Sequence, residues 1–179
     1  EMLSELSARF VDLPPDQVDS QIVAELRSLG EYLRIDRISL FEISETDRRL
    51  KLVQFCVDPS VAPPSSQIEY ERLPWALKKI LQGESFHLSD TEDLPSEAAA
   101  EKTFLHSQGV KAAVVIPLAI GERTRGVLVF AMVTRHREWS QDMLQRFEMV
   151  AQIFAHALAR KQSNEALLQS KNFTRMILD

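Results

Sequence analysis

Apolar residues recur at helical intervals in the first 33 residues of the chain. One set, with spacings of four, four, three and four, consists of Val18, Ile22, Leu26, Leu29 and Leu33. This spacing places all of its members on one face of an α-helix. The preceding residues 2–11 carry a second apolar face, and the DLPP segment at 12–15 ends that helix because proline cannot continue it. The chain therefore begins with two predicted helices.

Two pairs of β-branched and aromatic runs have the pattern of β-hairpins. RISLFEI (37–43) and LKLVQFCV (50–57) flank the polar turn SETDRR. The stretch KAAVVIPLAIGERTRGVLVFAM (111–132) holds two apolar runs around a turn that contains glycine. Runs of this kind, joined by short polar turns, pair as antiparallel strands. Neither predicted hairpin carries an obvious nucleophile, acid, base or metal ligand.

The region between the hairpins predicts short helices and one short strand. PWALKKILQG (74–83) has proline at the first helical position and glycine at the C-terminal end, where each is favoured. FHL (86–88) indicates a brief strand. SDTEDLPSEAAAEKTFLHSQG (89–109) predicts a helix with Pro95 near its start, and a long helix is predicted from about residue 140.

The order of these elements indicates the fold class. Hairpins form antiparallel sheets, and helices both precede and follow the strands. Such an order is typical of an α+β fold in which a central antiparallel sheet is covered by helices.

Composition and charge narrow the class of protein. The 179 residues suit one domain with an extension, and the net charge of −5 argues against a nucleic-acid surface. No apolar run approaches the roughly 20 residues that a membrane span needs, and no signal peptide opens the chain. With one cysteine, Cys56, a disulfide framework is excluded. We expect a cytoplasmic protein without membrane contact, and the helical patterns at both ends favour a segment of a longer chain.

Two stretches resemble the GAF domain, a small-molecule-binding and dimerisation module of bacterial sensors. GVKAAVVIPLAIGERTRGVLVF (109–130) is similar to the paired central strands of that family, and WSQDMLQRFEMVAQIFAHALARKQ (139–162) resembles its closing helix. The first two helices also resemble those of GAF-bearing sensor kinases. The resemblance covers nearly the whole chain. It rests on the combination of these stretches.

The resemblance implies a domain organisation and a role. It implies a sensory domain over residues 1–161, with the first helices at 2–34, the sheet and pocket helices at 36–133 and the closing helix from 140. Residues 162–179 would form a helical linker to a downstream PAS or kinase domain in the same chain. The terminal helices would cover one face of the sheet, and the short helices and loops would form a ligand pocket on the other. The segment itself would be non-catalytic, within a sensor histidine kinase.

Three specialised kinds of GAF domain lose support from the sequence. The N-K-x-F-D-E signature of cyclic-nucleotide-binding members has no counterpart, and residues 95–108 lack the cysteine that bilin-binding members need. A thiol-based reductase needs a resolving cysteine in addition to Cys56. No histidines have the spacing of metal ligands, and no other feature of the sequence indicates a haem-binding site. We therefore expect no cofactor, no metal and no catalytic residue.

Candidate pocket residues are aromatic or polar side chains near the predicted pocket wall. They are Phe55, Trp75, His87, Asp90, Phe104 and His106. Ligand pockets are mostly apolar with a few polar groups, which favours this mixture. Each has an alternative interpretation, since aromatic residues usually fill cores, isolated histidines are usually satisfied polar groups and Asp90 suits a helix cap.

Apolar stripes on the terminal helices are the candidates for a dimer contact. The residues are Leu3, Leu6, Phe10, Phe147, Val150 and Phe154. Their helical spacing suits either the domain core or a parallel homodimeric bundle that passes a signal onward. A dimerisation module with an empty pocket remains the alternative to a ligand sensor.

Overall fold

The structure is a computed structural model that describes residues 2–178, with side chains described from Ser4 onward. Six strands form one antiparallel sheet in the order β3-β2-β1-β6-β5-β4. The strands are β1 Arg37–Ser44, β2 Arg49–Val57, β3 Gln67–Glu69, β4 Phe86–Leu88, β5 Ala112–Ile120 and β6 Arg123–Met132. The helices are α1 Met2–Val11, α2 Val18–Leu33, α3 Pro74–Leu81, α4 Ala99–Ser107 and α5 Gln141–Leu178. The predicted α+β class is confirmed.

Both predicted hairpins form, and they join through their first and last strands. β1 pairs with β2, β5 pairs with β6, and β1 also pairs with β6, all in antiparallel register. Gly121 lies in the β5–β6 turn with φ of +63°, a left-handed conformation that glycine adopts without steric cost. The two apolar hairpins therefore supply the centre of the sheet.

The sheet separates two layers of apolar side chains. Ile38 and Leu40 of β1 belong to the core beneath α1, α2 and α5, whereas Phe41 belongs to the core beneath α3 and α4. This division follows from the alternation of side chains along a strand. The terminal helices thus cover one face, and the short helices cover the other.

The apolar stripes of the terminal helices are used within this one chain. Leu6, Phe10, Phe147, Val150 and Phe154 are all buried in the core between the helices and the sheet. A contact between two chains therefore has to use other residues of these helices. The side chain of Leu3 lies outside the described residues.

The segment after β4 differs from the sequence prediction. A helix over 89–109 was expected, but α4 begins only at Ala99, and two short 3₁₀ turns at Thr91–Asp93 and Ser96–Ala98 precede it. Asp90 accepts a hydrogen bond from the Glu92 backbone N–H at 2.9 Å, and Pro95 has an extended ψ of 159°. Asp90 and Pro95 thus favour turns over a continuous helix in this segment. The short strand β3 was also not predicted.

The Asp36 side chain connects the segment after α2 to the segment after β6 through hydrogen bonds. Asp36 Oδ2 accepts hydrogen bonds from the backbone N–H groups of Val133 and Thr134, at 2.8 and 2.9 Å, and from Thr134 Oγ1 at 2.8 Å. Partial burial acts to raise the pKa of this carboxyl. The three hydrogen bonds outweigh burial and hold the pKa below its usual value.

We expect Asp36→Asn to lower the free energy of unfolding by about 1–2 kcal/mol at neutral pH, because it removes the charge from these hydrogen bonds. The folded-state pKa lies below the unfolded value of about 3.9, so the contribution is complete above that value and is lost as the pH falls through the folded pKa. Urea unfolding of both proteins between pH 7 and pH 3 measures the difference. A gap that stays constant down to about pH 3 would contradict this explanation.

Candidate functional site

A cavity of about 90 Å³ lies between the sheet and the short helices. Strands β1, β5 and β6 form its floor, helices α3 and α4 form its roof, and Pro64 and Ser65 close one side. The lining is almost entirely apolar. An apolar cavity with few polar groups has the character of a small-molecule site.

Small side chains at the centre of the sheet make room for the cavity. Ala113 of β5 and Ala131 of β6 are register partners, and both line the floor. Opposed residues of an antiparallel pair project from the same face, so two alanines side by side leave a depression. Val115 and Val129, the next pair on that face, continue the floor.

A buried glutamate holds the roof of the cavity. Glu101 of α4 is 2% exposed, and its Oε2 accepts a hydrogen bond from the Ala76 backbone N–H at 2.8 Å. Ala76 lies in the first turn of α3, where main-chain N–H groups have no helical partner, so the glutamate caps that helix from a distance. Among the described residues, Glu101 Oε1 has no hydrogen-bond partner.

A buried arginine lies at the other end of α4. Arg37 of β1 is 5% exposed and lines the cavity. Its guanidinium donates to the Ala62 carbonyl at 3.2 Å and to the Gln108 carbonyl at 3.5 Å. Burial lowers the pKa of this guanidinium from its ordinary value. No carboxylate forms an ion pair with it within residues 2–178.

Aromatic side chains form the wall beside the roof. Trp75 and Phe86 meet edge to face with ring centroids 5.2 Å apart, and both line the cavity. The Arg72 guanidinium lies 4.7 Å from the centroid of Phe104, a third lining ring. This arrangement fixes the rings between the sheet and the surface cations.

The structure places the six candidate pocket residues in different surroundings. Trp75 and Phe104 line the cavity, whereas Phe55, His87, Asp90 and His106 are outside its lining. Phe55 pairs with Ser39 across the sheet and is 41% exposed. His106 contacts Glu92 at 2.8 Å, and Asp90 contacts His136 at 3.4 Å, both near the surface. Ligand contact by any of the six stays a prediction.

Three of the polar residues that line the cavity are buried and were not among the predicted site residues: Arg37, Ser39 and Glu101. The alternation along β1 contains a signal for two of them, because positions 37, 39 and 41 share a face.

Other kinds of site receive no support from the described residues. Within residues 2–178, no group of three or more histidine, cysteine or acidic side chains is placed to hold a metal ion. Cys56 is partly buried on the sheet face that α2 and α5 cover, opposite the cavity. No helix in the described range is long and apolar enough to cross a membrane.

A comparison with protein families and curated proteins gives two matches. The family model described as "GAF domain" matches residues 19–158. The methanogenesis regulatory histidine kinase FilI of Methanothrix harundinacea (strain 6Ac) is 24% identical over 161 residues. That alignment covers 86% of this chain and 18% of the relative, so the chain spans less than a fifth of it.

Solved structures of similar fold include two domains from a cyanobacterial phytochrome. The phycocyanobilin-bound GAF domain has a TM-score of 0.74 at 19% identity, with 90% of this chain and 94% of that chain covered. The phycoerythrobilin-bound GAF domain has a TM-score of 0.75 at 18% identity, with 91% and 95% covered. At these identities the likeness establishes the fold alone.

Proposed function

This chain belongs to the GAF domain family, and from that premise we propose that its cavity binds a small organic molecule for a signalling protein. The apolar cavity with its few buried polar groups carries the proposal. The domain would sense the ligand without transforming it. As a GAF domain it is a sensory module, and the bound molecule would be its signal.

We propose that this ligand is not a bilin. The solved relatives bind phycocyanobilin and phycoerythrobilin, whose four-ring skeletons greatly exceed a cavity of about 90 Å³. A cavity of about 150 Å³ is known to hold one benzene molecule. Cys56, the chain's single cysteine, also lies on the opposite face of the sheet.

The sheet offers a direct route from the ligand to the long helix. Ala113 and Val115 of β5 line the cavity, while the alternate residues Ala112, Val114 and Ile116 belong to the core beneath α5. A ligand that shifts β5 would therefore change the packing of α5. Such a change biases two states of the helix only if the ligand binds one of them more tightly.

We propose that the parent protein is a cytoplasmic sensor histidine kinase, with a PAS or kinase domain after α5. The chain is similar to a histidine kinase, and the matched region is only 18% of that protein, which supports the proposal. In this arrangement residues 162–179 act as the linker, and no residue of the GAF domain takes part in catalysis.

Thermal unfolding tests the cavity directly. The purified chain is screened with amino acids, nucleobases, small aromatic acids and four- to eight-carbon alcohols. A ligand that binds only the folded state should add about 2.7 kcal/mol of stability when its concentration is 100 times its Kd.

The variant Ala113→Leu fills the floor of the cavity, and we expect it to abolish this gain without lowering the stability of the free protein. Ala24→Leu, on the exposed face of α2, is the matched control. An unchanged gain in Ala113→Leu would contradict binding in this cavity.

A second function, dimerisation through α5, is favoured by the end of that helix. Residues 162–178 are all helical and exposed to solvent. Isolated helices of this length are marginal in water. Phe173 and Ile177 lie one turn apart and are 63% and 66% exposed, which suits a contact with a second copy.

We expect the chain to dimerise at high micromolar concentration and the double variant Phe173→Glu/Ile177→Glu to be monomeric. Charges placed in an apolar helical contact oppose association. Asn164→Glu/Leu168→Glu places two charges on the opposite side of the helix and should leave the dimer intact. Sedimentation equilibrium measures all three proteins. A monomeric wild-type chain would refute dimerisation through these residues.

A further inference from the structure

We propose that the cavity selects small organic monocarboxylates with an apolar chain, held by the Arg37 guanidinium and the Ser39 hydroxyl. The inference rests on the proposed binding function and names the chemical class of the ligand. Its apolar chain would lie over the floor formed by Ala113 and Ala131. Charge, spare hydrogen-bonding capacity and cavity size each support it.

The charge of Arg37 has no full counter-charge in the protein. A buried cation is costly unless it is paired, and buried arginines normally contact a carboxylate. Its contacts here are two main-chain carbonyls, of Ala62 and of Gln108. Gln108 caps the C-terminal end of α4, which supplies only the partial negative charge of a helix terminus. A bound carboxylate would provide the missing charge.

Arg37 also keeps donors that its protein contacts do not use. A guanidinium has five N–H donors in a planar fork that matches the two oxygens of a carboxylate. Two hydrogen bonds are present, at 3.2 and 3.5 Å, and the second is at the limit of such a bond. A carboxylate within the cavity would therefore gain strong hydrogen bonds at little cost to the existing ones.

Ser39 extends the same polar end of the cavity. It lies two residues further along β1, on the same face as Arg37, and it is 4% exposed. Within the described residues its hydroxyl makes no hydrogen bond to the protein. A hydroxyl beside a guanidinium gives an anion a second, uncharged donor.

The opposite end of the cavity disfavours a second negative charge. Glu101 and Gln108 lie seven residues apart along α4, a distance of roughly 10 Å. The unpartnered Oε1 of Glu101 would therefore repel the distal carboxylate of a dicarboxylic acid. The volume of about 90 Å³ further limits the ligand to a short chain.

The test measures binding of matched series of straight-chain compounds by calorimetry. The series are monocarboxylates from acetate to octanoate, the primary amides and alcohols of equal length, and the dicarboxylates succinate and adipate. We expect affinity for monocarboxylates to rise roughly fourfold per methylene until the cavity is full. Amides, alcohols and dicarboxylates should bind at least roughly tenfold more weakly, since they lose the charge-assisted bonds or meet Glu101.

Variants assign the selectivity to its residues. Arg37→Met should remove the preference for carboxylate over alcohol while leaving alcohol binding unchanged. Ser39→Ala should weaken carboxylate binding by a smaller factor, and Arg27→Met, on the exposed face of α2, should have no effect. The wild-type comparison decides the question even if Arg37→Met fails to fold.

The outcomes separate this inference from the function on which it rests. Equal or tighter binding of alcohols would overturn the carboxylate class and leave the cavity as a binding site. Carboxylate binding that Arg37→Met does not change would overturn the assignment to Arg37. Absence of binding across all series would overturn the inference, and the screen with Ala113→Leu would then decide the proposed function separately.

Discussion

Replacing Phe147 with alanine is expected to lower the free energy of unfolding by about 3–5 kcal/mol. Phe147 is 0% exposed, and its ring stacks on Phe130 of β6 with centroids 3.9 Å apart. Its ring also meets Trp139 edge to face at 6.1 Å. The side chain therefore joins the long helix to the sheet at the centre of the larger core. Removing it loses the transfer energy of a ring and leaves a cavity that rigid neighbours do not fill.

Urea denaturation followed by circular dichroism measures this loss. Domains of ordinary stability unfold with about 5–15 kcal/mol, so the variant should lose a large part of the total. Met149→Ala is the control, because Met149 lies on the same helix and is 51% exposed. A similar midpoint shift in both variants would show that Phe147 does not hold the helix to the sheet. An unchanged slope with denaturant would confirm that the folded state alone is affected.

Periodic patterns in the sequence predicted most of the fold. The stripe of α2 has the helical period, and Val18, Ile22, Leu26 and Leu29 are all buried as that period requires. The two hairpins were predicted because each combines long apolar runs with a polar turn. In these segments local preference and tertiary packing favour the same structure, which is the condition under which such predictions succeed.

Two short segments were predicted poorly because their structure depends on neighbours. β3 has three residues and exists through its pairing with β2. The segment before α4 has helical composition, but the cap at Asp90 and the extended Pro95 stabilise turns. A sequence pattern does not reveal which local hydrogen bond outweighs helix propensity.

An amphipathic stripe also does not identify the surface that it will contact. Phe10 and Phe154 were candidates for a dimer contact or for the core, and their rings meet each other within one chain at 5.7 Å. A helix that packed against a second chain would show the same spacing of apolar residues. Only the position of α5 over the sheet decides between them.

The polar residues of the site show the same dependence on tertiary placement. Histidines were chosen as site candidates because of their residue type, but they lie near the surface. Arg37 was not chosen, because arginine is ordinarily an exposed residue type. Arg37 and Glu101 are 64 positions apart in the sequence, and the fold brings both to the lining of one cavity. Their importance follows from burial without a full partner, a property that the sequence does not contain.

The close contact between β1 and β6 leaves no room for a side chain at position 126. Gly126 of β6 is paired with Glu42 on one side and Leu118 on the other. A Cβ atom added there would lie 2.8 Å from the Phe41 carbonyl oxygen. That oxygen belongs to the backbone of a central strand, so it has little freedom to move. We expect Gly126→Ala to lower the free energy of unfolding by about 2–3 kcal/mol, at the upper end of the usual cost of overpacking.

Gly30→Ala provides a control with the opposite expected sign. Gly30 lies within α2, and the nearest atoms to an added Cβ are 3.7 Å away, an ordinary contact distance. Alanine there should raise stability by about 0.5–1 kcal/mol, because glycine loses more conformational entropy in a helix. Urea unfolding of both variants gives the two values. Wild-type stability of Gly126→Ala would mean that β1 and β6 separate at that point more easily than the sheet geometry implies. Opposite shifts in the two variants would establish that the close approach of these strands requires glycine at position 126.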